Sequence, residues 1–322
     1  MNRKIFLPIF ILALAMMACL IQTTPTPPPF PTAVPVTDTP LPPTSTVTPI
    51  TPTPTATPVT PTPVSLTLDM LRNGTYFAPF YNRTVKLVNG AYSEGSGTDQ
   101  YSVQMLDTVA FGNLNNDGIS DAAILLVENG GGTGEFESVV ALLNKGGVPT
   151  QAGQTELGDR VKINSMAIDS GMLTLDMLVQ GPNDGMCCPS QPETQIYRMV
   201  GNALWLTRLT SITPDTRLRS ITINTPNDGA SVTNPFTISG NITIAPFENT
   251  LAYRVFLPDG TKVNDSTLTV DSKGVAGDPG TFSQTINLSN AGISGTVIFQ
   301  FLDVSAADGT TLALGSIALN VH

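Results

Sequence analysis

The sequence predicts a mainly β protein with two antiparallel folded units. Three observations carry this reading. Apolar runs are short and alternate with polar residues, as in Ala252-Tyr253-Arg254-Val255-Phe256-Leu257, which is the period of a half-buried strand. Turn residues recur between the runs, with Asn89-Gly90 and Pro258-Asp259-Gly260 as clear cases. Asn-Gly between alternating segments is a strong hairpin signal. Beyond the first 21 residues, no long stretch keeps the 3.6-residue apolar period of an amphipathic helix. The length of 322 residues suits about two folded domains.

Composition narrows the chemistry. Fifteen Lys and Arg face 25 Asp and Glu, a net charge of −10. So acidic a chain is a poor partner for nucleic acid. Its single histidine is His322. That removes Ser-His-Asp and Cys-His catalysis and His-ligated zinc from the ordinary menu.

Taken in order, the first element is an address. Asn2-Arg3-Lys4 is a positive start, followed by an uncharged apolar stretch over 5–21, the pattern of a secretory signal. Its end, Met16-Met17-Ala18-Cys19, resembles a bacterial lipoprotein signal. The resemblance implies a signal peptide over 1–18 and acylation of Cys19 as the new first residue. Ordinary cleavage after Ala13-Leu14-Ala15 and an uncleaved anchor are the other readings. All three place the rest of the chain outside the cytoplasm. Loss of Arg3 and Lys4 leaves 13 basic against 25 acidic side chains, a net charge of −12. Acyl chains, not charge, must then hold the chain at an anionic membrane.

Residues 19–64 carry the lipidated cysteine and a disordered Pro/Thr-rich linker. From Thr23 to Val64, 15 of 42 residues are Pro and 15 are Thr, and Asp38 is the only charge. No apolar periodicity survives to build a core. Thr-Pro steps hold the backbone extended, with a reach of up to roughly 130 Å if polyproline-like.

Residues 65–210 read as an antiparallel β domain with one short helix near 66–72. Candidate strands cover 84–88, 91–92, 101–105, 108–111, 121–127, 137–143, 161–169, 172–179, 194–200 and 203–208. A loop between two of them places oxygen side chains at Asn113, Asn115, Asp117 and Asp121, with Gly118 after the third and Ile119 at the remaining alternate position. This spacing resembles calcium loops of the EF-hand, dockerin and integrin-propeller type, in which alternate residues ligate a hard cation and glycine allows a sharp bend. Asn113 stands where those loops usually carry Asp, and Ile124 where the EF-hand carries Glu. With two formal negative charges, any calcium would be weakly held. The competing reading is a metal-free turn in which Asx side chains accept from loop N–H groups.

Three further features bear on chemistry. Asn129-Gly130-Gly131-Gly132-Thr133-Gly134 lacks the Gly-Lys-Ser/Thr ending of a phosphate loop and reads as a flexible hairpin. Glu135 and Glu137 lie two apart, on one face of an expected strand. They form a carboxylate pair of the kind a glycosidase uses, although exposed acids on a polar face are the commoner case. Cys187 and Cys188 are adjacent, and outside the cytoplasm an isolated thiol pair tends to oxidise. A vicinal disulfide is the reading taken. Intermolecular bridges and two buried thiols are the alternatives, and Cys-x-x-Cys redox spacing is absent.

The same unit resembles an uncharacterised domain of bacterial secreted lipoproteins. The likeness lies in Val88-Asn89-Gly90, the 112–121 loop, Leu157-Gly158-Asp159-Arg160-Val161, Gly181-Pro182-Asn183-Asp184 and Met186-Cys187-Cys188-Pro189. It brings no chemistry with it.

After a short linker over 211–218, residues 219–322 hold candidate strands at 221–223, 231–232, 236–242, 251–257, 266–270, 281–286, 296–301 and 312–321. About seven to nine short strands in about 100 residues suggest an immunoglobulin-like β-sandwich. The segment resembles the bacterial spore-germination immunoglobulin-like domain. The matching residues are Ile223, Pro226 and Gly229, Phe236-Thr237-Ile238-Ser239-Gly240, Phe247-Glu248-Asn249-Thr250, Asp259-Gly260, Gly280-Thr281-Phe282-Ser283, and Asp303-Val304-Ser305-Ala306-Ala307-Asp308-Gly309. The resemblance implies an envelope-facing adhesion or scaffolding module. Glu248 beside Phe247 is a candidate for partner contact, against the plainer reading of a solvated loop charge.

These readings converge on a non-enzymatic lipoprotein on the outer face of the bacterial cytoplasmic membrane. Its β domains would bind or scaffold a wall glycan or an envelope protein. The alternative is an extracytoplasmic enzyme in 65–210, acting in glycan hydrolysis through Glu135 and Glu137 or in thiol redox through Cys187 and Cys188.

Overall fold

The computed structural model describes residues 64–201, 203–274, 277–288 and 293–322. The expected signal peptide, Cys19 and the linker up to residue 63 lie outside the described residues.

The first element is α1 (Leu68–Arg72). The Thr67 hydroxyl oxygen accepts from the Met70 N–H at 3.3 Å and starts the helix. A two-stranded ribbon follows, β1 (Thr75–Ala78) with β2 (Arg83–Lys86). Next comes a five-stranded antiparallel meander: β3 (Ala91–Glu94), β4 (Tyr101–Gly112), β5 (Asp121–Asn129), β6 (Phe136–Lys145) and β7 (Val148–Asp159), paired in that order. The expected strands 101–105 and 108–111 are one strand, β4, whose register shifts between Met105 and Val109.

The apolar run in β5 is continuous because both faces of this sheet are covered. On one face Ile124, Leu126, Val140 and Leu142 pack with Leu71 of α1, Tyr76 of the ribbon and Leu87 just after it. On the other, Ala123, Leu125, Val139 and Ala141 pack with Leu173, Leu175 and Tyr197. Those partners lie on β9 (Met172–Val179) and β10 (Gln191–Val200), the middle strands of four that continue the chain, flanked by β8 (Lys162–Asp169) and β11 (Ala203–Ile212).

Asn89 and Gly90 both take positive φ, 53° and 88°, as a tight hairpin turn requires. The hairpin itself shrinks to a single bridge, Val88 to Ala91. The flanking strands join different sheets, since β2 pairs with β1 and β3 pairs with β4.

The remaining strands are β12 (Leu218–Arg219), β13 (Ile221–Thr225), β14 (Ser231–Val232), β15 (Phe236–Ile242), β16 (Thr250–Phe256), β17 (Lys262–Thr269), β18 (Asp271–Ser272), β19 (Gly280–Ile286), β20 (Gly295–Val304) and β21 (Thr311–Val321). The sheet β13-β15-β19-β18 faces the strands β17-β16-β20-β21. Phe236, Tyr253, Phe282, Phe299 and Phe301 fill the core between them. Phe236 meets Phe299 edge-on at 5.8 Å, and Phe282 stacks on Phe301 at 5.2 Å. This is the expected immunoglobulin-like sandwich.

The segment expected as a linker, 211–218, holds the end of β11 and the start of β12, which folds back on β11 through Ser211↔Arg219 and Ile212↔Leu218. Strand β11 also pairs with β21 through Arg208↔Gly315 and Leu209↔Leu314. That pairing fuses β8–β11 and the sandwich strands into one ten-stranded sheet. The described residues accordingly form one compact unit. Leu209, Leu302 and Leu314 form a small core at the join, Trp205 packs on Phe256 at 5.5 Å, and Arg198 forms a two-point ion pair with Asp228. Gly315 sits where a Cβ would come within 2.9 Å of the Ile221 carbonyl oxygen, so the close approach of β21 and β13 needs glycine there.

Candidate functional site

The loop between β4 and β5 is built from its Asx side chains. The Asn115 Nδ2 donates to Asp117 Oδ2 at 2.9 Å, and the Asp117 N–H donates back to Asn115 Oδ1 at 3.2 Å. Asp117 Oδ1 accepts from the Ile119 N–H at 2.8 Å. Positive φ at Asn116 and Gly118, 61° and 83°, makes the bend. Asp121 is fully buried at the start of β5. Its two oxygens accept from the Leu114 and Asn144 N–H groups at 2.8 and 2.9 Å, pinning the loop to the end of β6. The Asn113 Oδ1 is buried with no hydrogen-bond partner. Among the described residues, no group of three or more His, Cys, Asp or Glu is placed to hold a metal ion. Cation binding would therefore draw on amide and backbone oxygens beside Asp117 and Asp121.

The turn between β9 and β10 holds the cysteines. Cys187 and Cys188 are disulfide-bonded to each other, and both are exposed. Asp184 organises the turn. Its carboxylate accepts from the Gly181 N–H, the Ser190 N–H and the Ser190 hydroxyl, each at 2.7 Å. These bonds, the one from Gly181 first, hold its pKa below the usual carboxylate value.

Arg160 ties this turn to two other sequence features. It takes positive φ, 54°, just after β7. One guanidinium nitrogen donates to the Met186 carbonyl at 2.9 Å and pairs with Asp159 at 3.0 Å. Its Nε donates to the Thr133 carbonyl at 3.1 Å in the glycine-rich hairpin. No local pattern marks this role, because the three segments that meet at Arg160 are far apart along the chain.

Glu135 and Glu137 separate. Strand β6 begins at Phe136, so Glu135 lies before it and is exposed, with its N–H donating to Asp159. Glu137 is buried, and its carboxylate accepts from the Val161 N–H at 3.0 Å. Burial pushes its pKa up to about 7. The expected shared exposed face is absent because Glu135 lies outside the strand and this sheet is covered on both faces, which buries Glu137. Glu128, also fully buried, accepts from the Phe80 and Tyr81 N–H groups and the Tyr101 hydroxyl at 3.1–3.2 Å.

On the sandwich, Phe247 is 65% exposed in a short turn, Phe247–Asn249, where Glu248 and Asn249 both take positive φ. The turn lifts an aromatic ring into solvent beside an acid.

The fold first defines a class, a β protein carrying an immunoglobulin-like sandwich. Within it, residues 220–310 match the family model of the immunoglobulin-like domain of bacterial spore germination. That span covers the sandwich from the end of β12 to the residue before β21. No curated protein matches the chain.

Proposed function

We propose that this protein is a non-enzymatic cell-envelope lipoprotein. It is anchored through Cys19 to the outer face of the bacterial cytoplasmic membrane and uses its extracytoplasmic β body to contact a wall glycan or an envelope protein. One observation carries the reading. The buried carboxylates nearest the sequence motifs, Asp121, Glu128 and Glu137, each accept from backbone N–H groups that fix a loop or turn. Groups held this way position the scaffold and do not face a substrate. The spore-germination-type sandwich at 220–310 supports an adhesion or scaffolding role, and exposed Phe247 offers an aromatic anchor of the kind that dominates contact energy.

The direct test is co-sedimentation of the purified chain with isolated cell walls and with membrane-protein extract. Saturable binding that weakens at least tenfold in Phe247→Ala is expected. Turnover of a wall glycan by the purified chain would refute the reading.

A second proposal concerns the 113–121 loop. Its residues Asn113, Asn115, Asp117 and Asp121, with the Ile119 backbone, form a weak calcium loop in which the orphan Asn113 Oδ1 is a ligand. The buried, unpartnered state of that oxygen is what favours it.

A further inference from the structure

A cavity of ≈ 550 Å³ opens beside the join between the two halves of the β body. One wall comes from β7, β9, β10 and β11. The other comes from the turn between β20 and β21 and the first residues of β21. Glu193 and Gln195 line it, and with Tyr197 behind them they lie at alternate positions on one face of β10. They form a relay in which the Tyr197 hydroxyl donates to Gln195 Oε1 and Gln195 Nε2 donates to Glu193 Oε1. Glu193 is only 9% exposed. Among the described residues no hydrogen bond occupies its second oxygen, Oε2, which stays accessible to solvent in the cavity.

The cavity's polar groups are complementary to a donor. Gln191 and Gln180 also line it. Their Nε2 atoms already donate to the Ile212 and Met186 carbonyls, so each has its Oε1 left as an acceptor. Asp159 and Asp308 add negative charge, and among the described residues no Lys, Arg or His lines the cavity. Arg160 beside Asp159 offsets one of these charges. Leu157, Val161, Val179, Leu209 and Leu312 supply an aliphatic lining.

We infer that this cleft binds a primary ammonium group carried on a short aliphatic stem, with Glu193 as its counter-ion. An ammonium offers three donors and no acceptor, which matches the acceptors Glu193 Oε2, Gln180 Oε1 and Gln191 Oε1. The stem lies along the aliphatic lining. A low-dielectric, acid-lined cleft focuses attraction for a cation. The inference rests on the cleft alone and holds whether or not the chain is anchored or contacts the wall.

The test is isothermal titration of the purified full chain at pH 8 with pentylamine, 1-pentanol and pentanoate. At that pH an alkylamine of pKa about 10 is protonated, and Glu193, whose pKa burial raises to about 6, is ionised. Pentylamine should bind saturably, at least tenfold more tightly than pentanol, with pentanoate weaker still. Glu193→Gln should weaken the amine at least tenfold while leaving pentanol unchanged. If Glu193→Gln does not fold, Asp308→Lys at the exposed rim should weaken the amine severalfold in a chain with unaltered melting. Equal binding of pentanol and pentylamine would overturn the proposal. So would an absence of saturable amine binding, or full amine affinity in a folded Glu193→Gln or Asp308→Lys chain.

Discussion

Replacing Glu137 with Gln should flatten part of the pH dependence of stability. Glu137 is 5% exposed, and burial raises its pKa from 4.5 to about 7. In the unfolded chain the group ionises near 4.5. In the native chain it holds its proton until about pH 7. The unfolded state therefore loses a proton first as pH rises, and stability falls across pH 4.5–7 and then levels off. At 1.36 kcal/mol per pH unit, the native state forfeits about 3 kcal/mol over that window. Glutamine keeps an oxygen for the Val161 N–H but cannot ionise. Its amide N–H₂ would be buried without an assigned acceptor, a constant penalty of about 1 kcal/mol. The informative quantity is thus the difference between variant and parent as a function of pH. Urea unfolding should show Glu137→Gln slightly less stable near pH 4.5 and about 2 kcal/mol more stable at pH 8. Other carboxylates, including Glu193, cancel in that difference. Parallel stability profiles for variant and parent would refute the burial argument.

Three other outcomes are expected. Arg160→Met should lower stability by about 1–2 kcal/mol, because it removes the charged donor that joins Thr133, Asp159 and Met186; hydrogen exchange should rise most over 131–135 and 184–190, and exchange unchanged there would count against Arg160 as the tie. Leu209→Ala should cost about 2–4 kcal/mol yet leave a single calorimetric transition, since β11–β21 pairing joins the two halves; a split transition would show that the halves unfold independently. Millimolar calcium should raise the melting midpoint relative to chelator, and Asn113→Ala should abolish the rise; equal midpoints would dispose of the calcium loop.

Much of the fold was legible where strands have one wet face. Phe236–Ile242 and Thr250–Phe256 alternate buried and open along their length, and their sequences alternate with them. Legibility failed where tertiary contacts decide. Strand β7, Val148–Asp159, is polar and never fully buried, so it carries no apolar period and exists through its pairing with β6. The fusion of the two halves rests on two residue pairs, Arg208↔Gly315 and Leu209↔Leu314, and nothing in either segment announces a distant partner. Asn89-Gly90 marked the turn correctly but not the fate of its strands, because long-range pairing outweighed the local hairpin.

The candidate sites divide the same way. Spacing located the Asx loop and the adjacent cysteines. It placed Glu137 on an exposed face, because sequence spacing carries no information on whether either face of β6 is covered. Glu193, Gln195 and Tyr197 did leave a readable trace, three hydrogen-bonding side chains at i, i+2 and i+4 in one strand. Their significance appears only once the cavity is seen beside them.

The account depends above all on an exported chain held by lipid at Cys19. Metabolic labelling with a clickable fatty acid, followed by membrane fractionation, tests that most directly. The parent chain should carry label and sediment with membranes, and Cys19→Ala should carry none and be released. An unlabelled parent chain found soluble inside the cell would contradict the account.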